Sequence, residues 1–206
     1  MMRLLVISFF VLMLSSCTEQ KDKSEPTRKE IINVVQIQGE KISSAAQQAL
    51  GRQLQKAMVE NGPVHAVQFC NAAAFTIIDT LKTELKATIK RASLRVRNPK
   101  DKPTLTERAI LEEYMVQLDN GTELKAAIEV LETKEVLFAK PILLNNPMCL
   151  NCHGKVGSQV LTETYELIHE LYPNDEALNH ELGDLRGIWS ITFAEDEVIN
   201  YLKSIK

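Results

Sequence analysis

Thr88-Ile89-Lys90-Arg91-Ala92-Ser93-Leu94-Arg95-Val96-Arg97 is the stretch where the chain stops reading as helix. Ile89, Ala92, Leu94 and Val96 are apolar, whereas Arg91, Ser93, Arg95 and Arg97 form a polar register. The pattern predicts a strand with a cationic face. Asn98-Pro99 ends it, because proline lacks an N–H and restricts the residue before it.

Upstream, the period is helical. Ile42, Ala45, Ala46, Ala49, Leu50, Leu54, Ala57 and Met58 recur at three- and four-residue spacing within a helix expected over residues 31–60. Asn61-Gly62 is a stop signal and Pro63 a start signal. In the second helix Val67, Cys70, Ala74, Ile77, Ile78, Leu81 and Leu85 make the apolar stripe, so Cys70 is expected to face inward.

Downstream, Thr104-Leu105-Thr106-Glu107 is a capping box opening a helix to about Leu118, and Asp119-Asn120-Gly121 is a turn. Residues 124–131 and 135–144 are rich in Val, Ile, Leu and Phe and predict a hairpin about Thr133-Lys134. Asn145-Asn146-Pro147 stops it and places the next residues in a loop. A helix over 159–171 ending near Pro173, a strand over 187–193 and a short helix from Glu195 complete the chain. The sum is an α+β fold, with long N-terminal helices and a small antiparallel sheet.

The N-terminus reads differently. Met1-Met2-Arg3 precedes an apolar run from Leu4 to Leu14, too short to span a bilayer. Leu14-Ser15-Ser16-Cys17 then resembles a bacterial lipobox, with Cys17 as the acylated first residue of the mature chain. Residues 1–16 are thus expected to be a lipoprotein signal peptide, 17–30 a polar tether, and 31–206 the folded domain. Several buried acyl chains would hold the protein on a membrane, at about 0.8 kcal/mol per methylene. Cleavage would remove one cation from the 24 Lys and Arg and nothing from the 27 Asp and Glu. A chain with no basic excess is not built for nucleic acid.

Cys149-Leu150-Asn151-Cys152-His153 carries the chemistry. Two thiols at this spacing can meet the two vinyl groups of one porphyrin edge, and the following histidine can ligate the iron. Export strengthens the reading, since c-type haem is attached outside the cytoplasm. Alternatives are a Cys149–Cys152 disulfide in a haem-free binding module and a zinc site from Cys70, Cys149, Cys152 and His153. With Cys17 acylated, three of the four cysteines remain, an odd number for simple pairing.

A second axial ligand is available. Cys70 faces inward by register, while His65 stands about 140° around the same helix at 100° per residue. Pattern favours Cys70 over His65. A buried cysteine is also a common core residue. His169 and His180 sit among polar residues and read as surface histidines. Arg91, Arg95 and Arg97 could pair with haem propionates or simply form a solvated face.

Several of these segments, in order, resemble a family of single-haem c-type proteins with a PAS-like fold. That family also occurs as the extracytoplasmic sensor part of signalling proteins. The resemblance spans roughly residues 40–194. It rests on Val67-Gln68-Phe69-Cys70, on Arg91-Ala92-Ser93 followed by Arg97-Asn98-Pro99, and on Lys140-Pro141-Ile142. After the cysteine motif and Gly154 it continues with Tyr172-Pro173, Asp175 and Gly183-Asp184-Leu185-Arg186-Gly187. It implies one covalent haem c on Cys149 and Cys152, His153 and Cys70 as axial ligands, and Arg91 and Arg97 near the haem. The chain departs from the pattern at Ala92, Lys100-Asp101-Lys102 and Asn179-His180-Glu181.

The expected protein is a lipid-anchored haem c carrier in a bacterial cell envelope, on the periplasmic or outer-surface side. It would be redox-active, in electron transfer or in redox or gas sensing, with an unidentified redox or signalling protein as partner. Thiolate ligation and the lack of a convincing acid–base pair argue against an enzyme.

Overall fold

The computed structural model describes residues 25–79 and 85–205; over 71–79 it describes the backbone alone. The expected leader, Cys17 and most of the tether lie outside these residues, as do the side chains of Ala74, Ile77 and Ile78 and all of Leu81. Helix α1 runs Arg28–Asp79, followed by β1 (Ala87–Ala92), α2 (Leu105–Asp119), β2 (Ala127–Val130) and β3 (Glu135–Leu143). One helical turn, α3 (Leu150–His153), then α4 (Thr162–Leu171), β4 (Leu185–Ala194) and α5 (Glu195–Ile205) follow. The sheet is antiparallel throughout, in the order β1-β4-β3-β2. The expected α+β class is borne out.

Helix α1 starts three residues earlier than expected, at Arg28. Thr27 and Glu30 cap it reciprocally: Thr27 N donates to Glu30 Oε2 at 2.7 Å, and Glu30 N to Thr27 Oγ1 at 3.3 Å. The expected break is real. Asn61 (φ −143°) and Gly62 (φ 74°, ψ −169°) leave helical geometry, and Pro63 opens the second arm. Gly62 supplies a left-handed φ that a side chain would resist. Leu85 is not helical, contrary to expectation. It lies past the helix, buried in the core beneath the sheet.

Alternation divides the sheet into two faces. Ile191 and Phe193 of β4 with Val136 and Phe138 of β3 face the first arm of α1 (Ile31, Val34, Val35, Ile42) and α5 (Val198, Leu202). Ile188, Leu137 and Ala139 face Ile110, Leu111 and Tyr114 of α2 on the other side. Helix α2 has the predicted capping box, with Thr104 and Glu107 each holding the other's backbone. Glu107 also anchors the sheet, accepting from Ser190 Oγ at 2.6 Å and Lys90 Nζ at 2.8 Å.

Two expectations need correction. Strand β1 stops at Ala92, so the cationic register is not one strand face. Ser93 turns the chain away through its hydroxyl, 3.1 Å from Arg95 O and 2.7 Å from Arg186 O. The cysteine motif is not a loop either. Residues Pro147–Cys149 form a 3₁₀ turn that runs into α3. Asn146 Oδ1 caps it by accepting from Met148 N, just as Asn98 Oδ1 caps Pro99–Asp101 through Lys100 N. Both Asn-Pro pairs thus start tight helical turns.

Candidate functional site

One cleft gathers most of the singled-out residues. Its first wall is α1, with Leu50 and Leu54 before the break and Val67 and Cys70 after it. The sheet supplies Arg91, Ile142 and Trp189, and Cys149, Cys152 and His153 form the wall beyond. His65 is absent from this lining, so the structure brings Cys70, not His65, to the motif. Met58 and Met148 also reach the cleft, although neither sits in a recognisable ligand motif in the sequence.

The motif is held by the segment 175–180. His153 Nδ1 lies 2.9 Å from Ala177 O. That contact makes Nδ1 the N–H donor and leaves Nε2 as the lone-pair nitrogen. Asn179 N donates to Gly154 O at 2.9 Å and His180 N to His153 O at 2.8 Å, so the two segments are laced together. Arg97 fastens the assembly. Its Nε and Nη2 donate to Asp175 Oδ1 and Oδ2 at 3.1 and 2.9 Å, and Nη2 also reaches Cys152 O at 2.7 Å. Arg95 does comparable work, donating to Glu176 O at 3.0 Å and to Leu178 O. The arginines read as a cationic face therefore diverge. Arg95 and Arg97 tie down the segment behind the motif, and Arg91 faces Asp101, with 3.6 Å between Nη2 and Oδ2.

His180 is not a surface residue. It is 3% exposed, and its ring stands edge-on to His153 with centroids 6.2 Å apart. Its Nδ1 contacts Arg95 Nη1 and Asp184 Oδ2, at 3.3 and 3.2 Å. Polar neighbours in sequence suggested solvent; here the ring is buried against Arg95 and His153 from distant parts of the chain. Arg186 is the residue that pattern reading left without a role. It lines the cleft, and its Nη1 donates to Ser93 Oγ at 2.6 Å and Arg95 O at 3.1 Å.

Electrostatics follow from burial among cations. Burial, with Arg186 and Arg97 nearby, holds His153 well below the usual histidine range, so it is neutral at physiological pH. Burial pushes the Cys152 thiol up to about 11 and also raises Cys70, against the pull of Arg91 and Arg97. Burial likewise raises the Asp101 carboxyl, although Arg91, Arg186 and Lys90 oppose it. Arg186 is lowered to about 10 by burial and by Arg97. Cys70, Cys149 and Cys152 are all free. Among the described residues, no three His, Cys, Asp or Glu side chains converge as metal donors, and no helix is long and apolar enough to cross a membrane.

No curated protein matches this chain. Among solved structures it is similar to the crystal structure of the cyanobacterial heme-protein Tll0287, with TM-score 0.52 and 21% identity. The alignment covers 82% of this chain and 98% of that one. This likeness of fold agrees with the PAS-like architecture expected from the ordered motifs. A family model described as Tll0287-like matches residues 18–194, beginning earlier than the resemblance at about residue 40. The motifs, the cleft they line and this match agree: the chain belongs to the Tll0287-like family.

Proposed function

We propose that this protein carries one haem c, bound covalently through Cys149 and Cys152, with His153 and Cys70 as axial ligands. The observation that carries the reading is the convergence of these four residues on one cleft, with His153 Nδ1 committed to Ala177 O. The chemistry fits a porphyrin. Such a group brings four nitrogen donors of its own, so a site without three converging protein donors is still competent for it. The apolar flanks Leu50, Leu54, Val67 and Trp189 suit a flat hydrophobic ring. The haem-free disulfide module and the zinc site draw no such support, since the cysteines are free and no donor triad is present among the described residues.

Bound haem supplies one-electron redox chemistry. This chain's residues keep His153 neutral and hold the motif against the segment 175–180. An anionic sulfur ligand from Cys70 would favour ferric iron. With both axial positions assigned to side chains, the reading is non-enzymatic: electron transfer, or sensing in which the Cys70 bond yields to a diatomic ligand. Acylation of Cys17 would place the domain at a bacterial envelope membrane, within reach of a redox or signalling partner.

The test is an absorption spectrum of protein matured in an export-competent host, ferric and then ferrous, with and without carbon monoxide. Haem that stays on the chain under denaturing conditions is expected, and its absence overturns the reading. A ferrous spectrum shifted by carbon monoxide favours sensing; an indifferent one favours electron transfer. A Cys17→Ser variant should leave the membrane fraction.

A further inference from the structure

The cleft end of β4 contains an irregularity that re-aims one side chain. Ile142 of β3 pairs with Gly187, but the next residue, Leu143, pairs with Leu185. Arg186 has no partner on β3; it is the extra residue of a bulge. Strict alternation would put Arg186 with Ile188 and Ser190, on the face covered by α2. Instead Leu185 joins Ile188 in the α2-side core, and Arg186 lines the cleft on the α1 side. Bulges that redirect a side chain are a recurrent device beside functional sites.

The redirected guanidinium is only partly engaged. Its Nη1 is held by Ser93 Oγ and Arg95 O, and among the described residues no hydrogen-bond partner is found for its Nε and Nη2. The neighbouring charges do not complete it. Asp175 is taken by Arg97 through two contacts, and Asp101 faces Arg91. Three arginines thus share two carboxylates, Asp101 in the cleft wall and Asp175 behind the motif. A half-buried, fixed guanidinium with a free edge is shaped to take a carboxylate.

We propose that Arg186 receives a propionate carboxylate of the bound haem, and that the β4 bulge exists to present it. This rests on the haem reading and deepens it. Arg97 then acts mainly as the clamp on Cys152, and Arg91 as the partner of Asp101. Ser93 becomes a positioning residue, since its hydroxyl fixes Nη1 and leaves the other edge of the fork open.

The test uses the matured full chain and two variants, Arg186→Gln and Arg186→Lys. The readouts are the propionate bending mode in the resonance Raman spectrum and the midpoint of a spectroelectrochemical titration. Removing a half-buried cation beside the haem disfavours the reduced state. In Arg186→Gln the ratio of reduced to oxidised protein at a fixed potential should fall about tenfold, or about 59 mV for one electron. The bending mode should shift in the same variant. Arg186→Lys keeps the charge and loses the fork, so it should restore the midpoint while the mode stays shifted. It also keeps the assignment testable if the neutral variant does not fold. Both readouts unchanged in a variant that carries covalent haem overturn the Arg186 assignment and leave the haem reading intact. A wild-type chain without covalent haem overturns both.

Discussion

The two ends of β4 obey different rules. From Ile188 to Phe193 the strand pairs without interruption with β1 on one side and β3 on the other, and its side chains alternate between two apolar layers. From Leu185 to Gly187 the register slips, β1 has already turned away, and the Arg186 side chain enters the cleft with the other arginines and the cysteine motif. The regular end is built for stability. The irregular end exposes polar groups that a packed sheet would have to exclude. Local rules fail where a protein places its site, and here the failure is confined to three residues.

The comparison breaks if the regular end can be weakened without loss of stability. Phe193 is fully buried among α1, α5 and β3. Phe193→Ala should cost about 4 kcal/mol, read as a lower denaturant midpoint. Surviving folded molecules should show an unaltered haem spectrum. At the irregular end the cost should appear at the site as well. Asp175→Ala leaves the Arg97 guanidinium without its carboxylate and loosens the clamp on Cys152 O. About 3 kcal/mol should be lost, and the Soret band of the ferric protein should broaden. Broadening in the Phe193 variant and none in the Asp175 variant would reverse the assignment of the two ends.

Much of this was legible in advance, and the reasons differ by region. The capping box at Thr104, the break at Asn61-Gly62 and the hairpin about Thr133-Lys134 follow from local chemistry that acts within a few residues. Helical register put Cys70 on the inward face, and its place opposite the motif came only from the family resemblance. The end of β1 did not, because polar alternation continues past Ala92 while the backbone turns on the Ser93 hydroxyl. Nor could the burial of His180 be read, since its partners Arg95 and His153 come from distant parts of the chain. The role of Arg186 depends on a one-residue slip in pairing, which no single strand encodes. The start of α1 is the exception: Thr27-Arg28-Lys29-Glu30 is a capping box visible in the sequence, hidden because the segment read as a polar tether.

Gly187 joins the two ends. A Cβ there would lie 2.4 Å from Ala92 O, a backbone atom that can move only if β1 moves. Gly187→Ala should therefore cost about 2 kcal/mol, less than either substitution above. Because the displaced strand carries Arg91, it should also perturb the haem spectrum. A stability loss with an unchanged spectrum would show that the bulge and the core are independent.

The smallest effect sharpens the comparison from beneath the regular end. Glu107 is buried, which alone would raise its pKa. Hydrogen bonds from Lys90, Ser190 and the Thr104 backbone outweigh that and hold it below the ordinary 4.5. A carboxylate with a depressed folded pKa stabilises the fold fully above its unfolded value, and the contribution disappears as pH falls through the folded one. Glu107→Gln should thus cost about 1 kcal/mol near neutrality. The gap between wild type and variant should close on acidification below pH 4.5, as seen in denaturant midpoints taken across that range. Asp101, at the irregular end, is shifted the opposite way by burial, so its charge is a burden on the fold that relaxes on protonation. Asp101→Asn should therefore be neutral or stabilising near pH 7, with an advantage that shrinks in acid. Two carboxylates packed beside one sheet with opposite pH slopes would confirm that one end is optimised for the fold and the other holds charge for the site.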